Sequence, residues 1–358
     1  PVEILKVLYR GHKILILDEP TAVLTPQETD RLFDILRSMR EQGCAIIIIT
    51  HKLNEVMAIS DRVTILRKGK YIDTVNTSET DEKKLTELMV GRPDSLKINR
   101  PDVVNPQTIL KIVDLTVRKP DGTLAINDIS FEVRTGEILG VAGIAGSGQK
   151  ELCECIAGLC PAEKGAILHQ KENLVGKSPR EIIRRGVHLG FVPEDRLGMG
   201  LVASMGMVGN MMLKTYDEPK GPFIDPAPAR RRAEDLVERL EIVTPSVDTP
   251  VRLMSGGNVQ KVLLGREIES DPQVLITAYP VRGLDINSSY TVYDLLNEQK
   301  QKGVAVVFIG EDVDVLMALS DRILVMCHGE VTGVVDGRTA TKDEIARLMV
   351  GAGEEALA

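Results

Sequence analysis

Residues 1–91 of this chain align without a gap on residues 261–351, at a constant offset of 260. Ser60-Asp61-Arg62 falls on Ser320-Asp321-Arg322, and Leu88-Met89-Val90-Gly91 on Leu348-Met349-Val350-Gly351. Pro20, Leu24, Gly43 and Gly69 fall on Pro280, Leu284, Gly303 and Gly329. The two copies must therefore share one fold. They agree in the residues that make a fold and disagree in those that do chemistry. Leu17-Asp18-Glu19-Pro20 becomes Thr277-Ala278-Tyr279-Pro280, and Thr50-His51 becomes Gly310-Glu311.

Apolar spacing predicts a helix at Val2–Tyr9, a strand at Lys13–Leu17, a helix at Pro26–Gln42, a strand at Ala45–Thr50, a helix at Leu53–Ala58 and a strand at Arg62–Arg67. Short β-rich runs that alternate with amphipathic helices call for a parallel sheet. Gly69-Lys70 marks a turn, and Glu82–Met89 a closing helix. Pro93, Pro101 and Pro106, set among polar residues, mark 92–108 as a linker. A second domain is expected at 109–351. It opens with strand segments over Ile109–Val133 around an Asp121-Gly122 turn. Glu137–Ala142 is a strand that enters a glycine-rich loop, Arg180–Gly186 a helix and His188–Val192 a strand. A helical subdomain is expected at about 200–265, and 352–358 is a tail. Its Met-rich start (Met199, Met205, Met207, Met211, Met212) suits core packing or an adaptable partner surface. The second copy follows residues 109–260 and the first follows no equivalent, so the chain is expected to be the C-terminal portion of a longer tandem protein.

A net charge of −8 gives no basic footprint, and no nucleic-acid partner is expected. No apolar run approaches the ~18 residues of a membrane helix, and no signal-peptide pattern opens the chain, so a cytoplasmic location is expected. Of the five cysteines, Cys153, Cys155 and Cys160 fall in one expected helix, Glu151–Cys160. They read as reduced structural thiols. A metal cluster is the alternative, but it lacks nearby His and acid partners.

Gly143-Ile144-Ala145-Gly146-Ser147-Gly148-Gln149-Lys150 follows a strand and opens a helix, the context of a phosphate-binding loop. Glycines let successive N–H groups face one anion, and the helix N-terminus adds positive charge. Gln149 stands where a lysine should reach the β/γ-phosphates, and Lys150 where Ser or Thr should hold Mg²⁺. The other reading is a strand–helix turn without a ligand. Asp18 and Glu19 end an apolar strand, where open α/β sheets bind ligands. One carboxylate can serve Mg²⁺ and the next an attacking water; a pair of helix-capping acids is the alternative. His51 ends the next strand, as a reacting group or a structural one. Ser255-Gly256-Gly257 before a helix supplies a hydroxyl, bare N–H groups and a helix dipole suited to phosphate; alone it would pass for a plain cap.

In combination these stretches resemble the ATP-binding subunits of ATP-binding-cassette (ABC) transporters, over about residues 2–351. Leu253–Lys261 resembles the family's signature motif, Ile14–Thr21 its Walker B strand, and Thr50-His51-Lys52-Leu53 its switch histidine. Phe191–Arg196, with Ala278, Pro280, Arg282, Gly283, Leu284 and Asp285, resembles the second cassette of fused importers for ribose, galactose, xylose and nucleosides. The run Gly148–Leu152 and Ala278 lean towards the nucleoside branch. The resemblance implies an α/β fold: a P-loop NTPase-like parallel sheet with helices on both faces, an antiparallel β subdomain and a helical subdomain, in tandem cassettes of which the first is incomplete.

By the same resemblance the cassettes pair head to tail with ATP and Mg²⁺ between them. Asp18 would serve the metal, Glu19 the attacking water and His51 the γ-phosphate. Ser255, Gly256 and Gly257 would close on that nucleotide from the opposite cassette, and Asp285 would lie at the interface. The other site has the altered loop Gly143, Gly146, Ser147, Gly148, Gln149, Lys150, and Glu194 where many cassettes have Gln. It would bind nucleotide at most, without efficient hydrolysis. The implied partners are integral membrane permease subunits, docked near Glu194 and Met199–Met212, and indirectly an extracellular or periplasmic solute-binding protein. The implied place is the cytoplasmic face of the membrane. The rival readings are a non-catalytic docking or nucleotide-binding fragment, a soluble cassette ATPase unconnected with transport, and a decayed fragment without activity.

Overall fold

The offset in the sequence is reproduced element by element. The computed structural model describes residues 13–21, 26–50, 52–67, 69–91, 97–215 and 224–351. The expected helix Val2–Tyr9, His51 and the expected tail lie outside these residues. The first copy runs β1 (Ile14–Asp18), α1 (Pro26–Glu41), β2 (Ala45–Ile49), α2 (Leu53–Ile59), β3 (Arg62–Arg67), β4 (Lys70–Asn76) and α3 (Glu82–Val90). Strands β1 and β2 pair in parallel from Ile14 against Ala45, and β3 and β4 pair antiparallel with a bulge between Ile65 and Leu66.

The remaining chain contains two sheets. Strands β5 (Thr108–Arg118) and β6 (Leu124–Arg134) form a long hairpin. Then β7 (Ile138–Gly143) feeds the glycine-rich loop and α4 (Gln149–Ile156). Strands β8 (Lys164–His169) and β9 (Glu172–Asn173) complete an antiparallel sheet of order β6-β5-β8-β9. After α5 (Pro179–Arg184) and β10 (Leu189–Val192) come α6 (Met207–Thr215), α7 (Ala227–Arg239) and α8 (Gly256–Glu269). The second copy follows as β11 (Val274–Ala278), α9 (Ile286–Gln301), β12 (Ala305–Ile309), α10 (Val313–Leu319), β13 (Arg322–Cys327), β14 (Glu330–Asp336) and α11 (Lys342–Met349). Its bounds repeat those of the first copy to within one residue. So do the β11–β12 register, from Val274 against Ala305, and the bulge, between Val325 and Met326. The caps recur as well: Asp81 accepts from the Lys84 N–H and Thr341 from that of Glu344, which satisfies helix N–H groups that have no partner within the helix.

The main sheet has the order β10-β11-β12-β7-β13-β14, parallel except for β14. Successive side chains on a strand face opposite ways, and here they feed two separate cores. Leu275, Val306, Phe308, Ile323 and Val325 pack with the helices on one face. Val274, Ile276, Val307, Ile309 and Leu324 pack on the other with α4 and the antiparallel sheet. Burial on both faces explains why these strands read as unbroken apolar runs. In the first copy, Leu15, Leu32, Phe33 and Leu36 build the helix-side core. The other face carries Ile14, Ile16, Ile47 and Ile49 at 52–64 % exposure, while their counterparts Val274, Ile276, Val307 and Ile309 are fully buried.

The chain divides into two compact units, Pro1–Lys97 with Asp285–Asn287, and Ile98–Leu284 with Ser288–Ala358. The cysteine helix differs from expectation. It ends at Ile156, because Gly158 takes a left-handed φ of 74° that turns the chain out of the helix. Cys160 thus lies beyond the helix with its thiol against that of Cys155. None of the five cysteines forms a disulfide. The methionines divide: Met207 and Met211 are buried, Met199 and Met205 exposed. Among the described residues no helix is long and apolar enough to cross a membrane.

Glu267 on α8 is fully buried and gathers three partners. It accepts from the Phe191 N–H (3.0 Å), from Lys214 Nζ (2.8 Å) and from the Arg266 guanidinium (2.7 and 2.9 Å). This carboxylate ties β10 to α6 and α8. Glu267→Ala would strand a buried guanidinium, so it should lower unfolding stability by about 3–5 kcal/mol, read as a shifted midpoint in urea denaturation.

Candidate functional site

In the first unit β1 ends at Asp18, which is exposed. Glu19 follows in the left-handed region at φ 43°, and its N–H donates to the Ile49 carbonyl at 2.8 Å. A non-glycine residue held there is strained and needs surrounding structure to keep it. That structure includes Glu55 on α2, which is buried. It accepts from the Thr21 hydroxyl at 2.6 and 2.8 Å and from the Thr50 hydroxyl at 3.3 Å, and Lys52 Nζ lies 3.0 Å away. Glu55 thus joins the loops after β1 and β2 through one buried side chain. Sequence reasoning missed it. The available signal was that Thr21, Thr50, Lys52 and Glu55 fall on Val281, Gly310, Asp312 and Val315, a brace removed as a set. Among the described residues no group of three or more His, Cys, Asp or Glu converges on a metal site. Asp18 fits Mg²⁺ only in the way that ion is usually held, by one or two carboxylates together with substrate phosphates.

In the second unit β7 delivers a loop of phosphate-cradle shape. A Cβ at Gly143 would meet the Met326 carbonyl oxygen at 2.6 Å, and one at Gly148 the Ala125 carbonyl oxygen at 2.4 Å. Gly146 and Gly148 have φ 90° and 96°. The Ser147 side chain is buried, and its N–H donates to the Ile144 carbonyl at 3.1 Å. The cationic parts are displaced. Gln149 is buried and folds back, donating from Nε2 to the Ile144 carbonyl at 3.2 Å. Lys150 is exposed, with Nζ 3.8 Å from Glu154. Lys150, Glu154, Phe191, Glu194, Asp195 and Ala278 line a cavity of ≈ 350 Å³.

The strand ends beside this cavity carry a cluster of a different kind. Tyr279 repeats the backbone of Glu19, with φ 50° and its N–H on the Ile309 carbonyl at 3.0 Å. Arg282 pairs with Glu194, lies 3.3 Å from Glu311 and packs over the Tyr279 ring at 5.9 Å. Burial, aided by Glu311 and Glu194, pushes the Tyr279 hydroxyl up to about 12. Arg196, whose pKa is lowered by burial, donates to the Arg282 carbonyl. Its guanidinium would lie 3.3 Å from a Cβ at Gly256. Sequence reasoning quoted Arg282 and Arg196 within motifs and gave neither a role.

Ser255 caps α8: its hydroxyl accepts from the Asn258 N–H and, at 2.9 Å, from Asn258 Nδ2. Asn258 Oδ1 in turn accepts from the Val243 N–H at 3.0 Å. Gly256 and Gly257 form the first turn. Asp285 stands immediately before α9. The second unit thus brings Lys150, Glu194 and Ala278 around one cavity, and Ser255–Gly257 are not among its lining residues. Gly148→Ala forces a left-handed alanine against a backbone oxygen, and should destabilise the unit by about 1–3 kcal/mol, seen as a lowered Tm.

A family model described as ABC transporter matches residues 126–280. The nucleoside import ATP-binding protein NupA of Lactococcus lactis subsp. cremoris is 40 % identical over 353 residues, 98 % of this chain and 69 % of that protein. The glucose import ATP-binding protein TsgD13 of Haloferax volcanii is 40 % identical over 358 residues, 99 % of this chain and 65 % of that protein. The chain therefore spans about two thirds of the length of these relatives. Among solved structures, the dimeric bacterial ABC transporter cassette MJ0796 matches with TM-score 0.57 at 21 % identity, over 64 % of this chain and 100 % of that one. At that identity the likeness is one of fold.

Proposed function

The chain belongs to the ABC transporter family of ATP-binding proteins, and on that premise we propose that it is an ATP-hydrolysing, energy-coupling subunit of a membrane importer for sugars or nucleosides. The observation that carries the reading is the Asp18-Glu19 strand end, whose loop Glu55 joins to the loop after β2 through Thr21 and Thr50. It supplies two adjacent carboxylates at the sheet edge where α/β folds bind ligands. Relatives at 40 % identity named for nucleoside and glucose import support the solute class.

Residues 1–91 form part of a first cassette, 92–108 a linker and 109–351 a second cassette. Asp18 would hold Mg²⁺ together with the phosphate oxygens of ATP, and the ion would supply charge that offsets that of the phosphates. Glu19 accepts a proton from the attacking water, and His51 fixes the γ-phosphate. Ser255, Gly256 and Gly257 close on the same nucleotide with a hydroxyl and the N-terminal N–H groups of α8. Asp285 serves the interface between cassettes. The second site, with Ala278 and Tyr279 in place of the acids and Gln149 turned inward, does not hydrolyse efficiently. Closure of the cassettes would drive permease subunits docked near Glu194 and the exposed Met199 and Met205, at the cytoplasmic face, with an extracellular solute-binding protein feeding them.

Completing the competent site takes a first phosphate loop. The chain as it stands should therefore hydrolyse Mg-ATP poorly, while a form extended upstream through such a loop should turn over. Glu19→Gln should cut that turnover by at least about 10²-fold, the range for removing a general base. Comparable turnover by the short chain, or indifference of the longer form to Glu19→Gln, would refute this assignment of roles.

A further inference from the structure

Three loops leave the adjacent parallel strands β10, β11 and β12 on the same edge of the second unit's sheet. They carry Glu194, Arg282 and Glu311, and one guanidinium joins all three: Arg282 belongs to the middle loop and pairs with an acid on each side. The face of Tyr279 supports it from within its own loop.

The internal repeat sets this arrangement beside a different one in the same chain. In the first unit the loops after β1 and β2 are joined by Glu55 with Thr21, Thr50 and Lys52. In the second unit all four of those side chains are gone, replaced by Val315, Val281, Gly310 and Asp312. Three other positions have changed with them. Glu19 becomes Tyr279, Ala22 becomes Arg282 and His51 becomes Glu311. None of the three makes sense alone. Without Arg282, Glu194 and Glu311 would converge with no counter-charge; without the acids and the ring, the guanidinium would have no seat. The connection between these loops is made by a residue of the following helix in the first unit and by a residue of the loops themselves in the second.

We propose that Arg282 is a positioning residue that stands in for a nucleotide at the second unit, fixing the loops after β10, β11 and β12 in one arrangement whether or not ATP is present. The fixed arrangement extends further along the chain. Arg196 donates to the Arg282 carbonyl, Asp195 caps the following turn by accepting from the Gly198 N–H at 2.8 Å, and that turn, Arg196–Gly200, carries the exposed Met199. On the transport reading above, on which this consequence rests, the docking segment of the second unit is a static handle and the responsive half is the first unit. Arginine suits the task because its planar fork serves two carboxylates at once, which a lysine ammonium does with less geometric definition.

Amide hydrogen exchange on the full chain tests this, read at residues 193–200 and 310–312, with and without Mg-ATP. The wild type should show the same protection in both loops with or without nucleotide. Glu311→Gln should speed exchange at 193–200 by at least about threefold, although Glu311 acts on that loop only through Arg282. Arg282→Ala should speed exchange at both loops by about tenfold, and Arg282→Lys should restore part of it. Adding Glu311→Gln to Arg282→Ala should have no further effect. Glu311 is more than half exposed, so its variant keeps the test meaningful should Arg282→Ala unfold. The proposal is overturned if Glu311→Gln changes only 310–312, or if Mg-ATP shifts the wild-type loops as much as Arg282→Ala does. No turnover is read, so failure here leaves the ATPase assignment standing, and an inactive chain leaves this proposal standing.

Discussion

The second unit hangs on the seating of one strand. β7 enters the middle of the sheet, and its first residue is held by Asp321 at both polar groups. The Ile138 N–H donates to the Asp321 carboxylate at 2.8 Å, and the Ile138 carbonyl accepts from the Asp321 N–H at 2.8 Å. Lys300 on α9 reaches the same carboxylate at 2.7 Å, and Arg322 pairs with Glu137 next to it at 2.6 Å. The opposite end of β7 is the glycine-rich loop. The loop is therefore positioned by a clasp one strand length away, buried where solvent weakens it little. In the first unit Arg40 and Asp61 stand at the equivalent positions, 2.8 Å apart, with arginine in place of the lysine.

The two units solve one mechanical problem in different ways. Loops at the ends of parallel strands have few backbone hydrogen bonds of their own and must be joined by side chains or by a ligand. The first unit joins them through Glu55, a residue of the helix that follows β2. The second joins them through Arg282, a residue of the loops themselves. The copy that lacks the Asp18 and Glu19 carboxylates is thus also the copy with the different brace.

Much of this was legible before any coordinates. The offset of 260 carried the order and bounds of the elements, because two sequences that agree in turn glycines and apolar spacing constrain each other more tightly than either constrains itself. The α/β architecture, the strand ends bearing Asp18 and Ser255 as a helix cap were readable from periodicity and cap chemistry. What was not readable depended on side chains meeting across loops distant in sequence. Arg282 lies 88 residues from Glu194, and no local pattern links them. The inward fold of Gln149 depends on a carbonyl five residues away, turned by loop geometry. The end of the cysteine helix turned on a single glycine whose left-handed φ composition does not reveal.

Glu19 and Tyr279 occupy the same left-handed backbone, donate to the equivalent neighbouring strands β2 and β12, and differ in charge and shape. Strained residues at strand ends are usually taken as signs of function. Here the same strain carries an acid in one copy and an aromatic ring in the other. It belongs to a turn that both copies share, whatever side chain stands on it. A search for active sites by backbone geometry alone would therefore score Glu19 and Tyr279 alike.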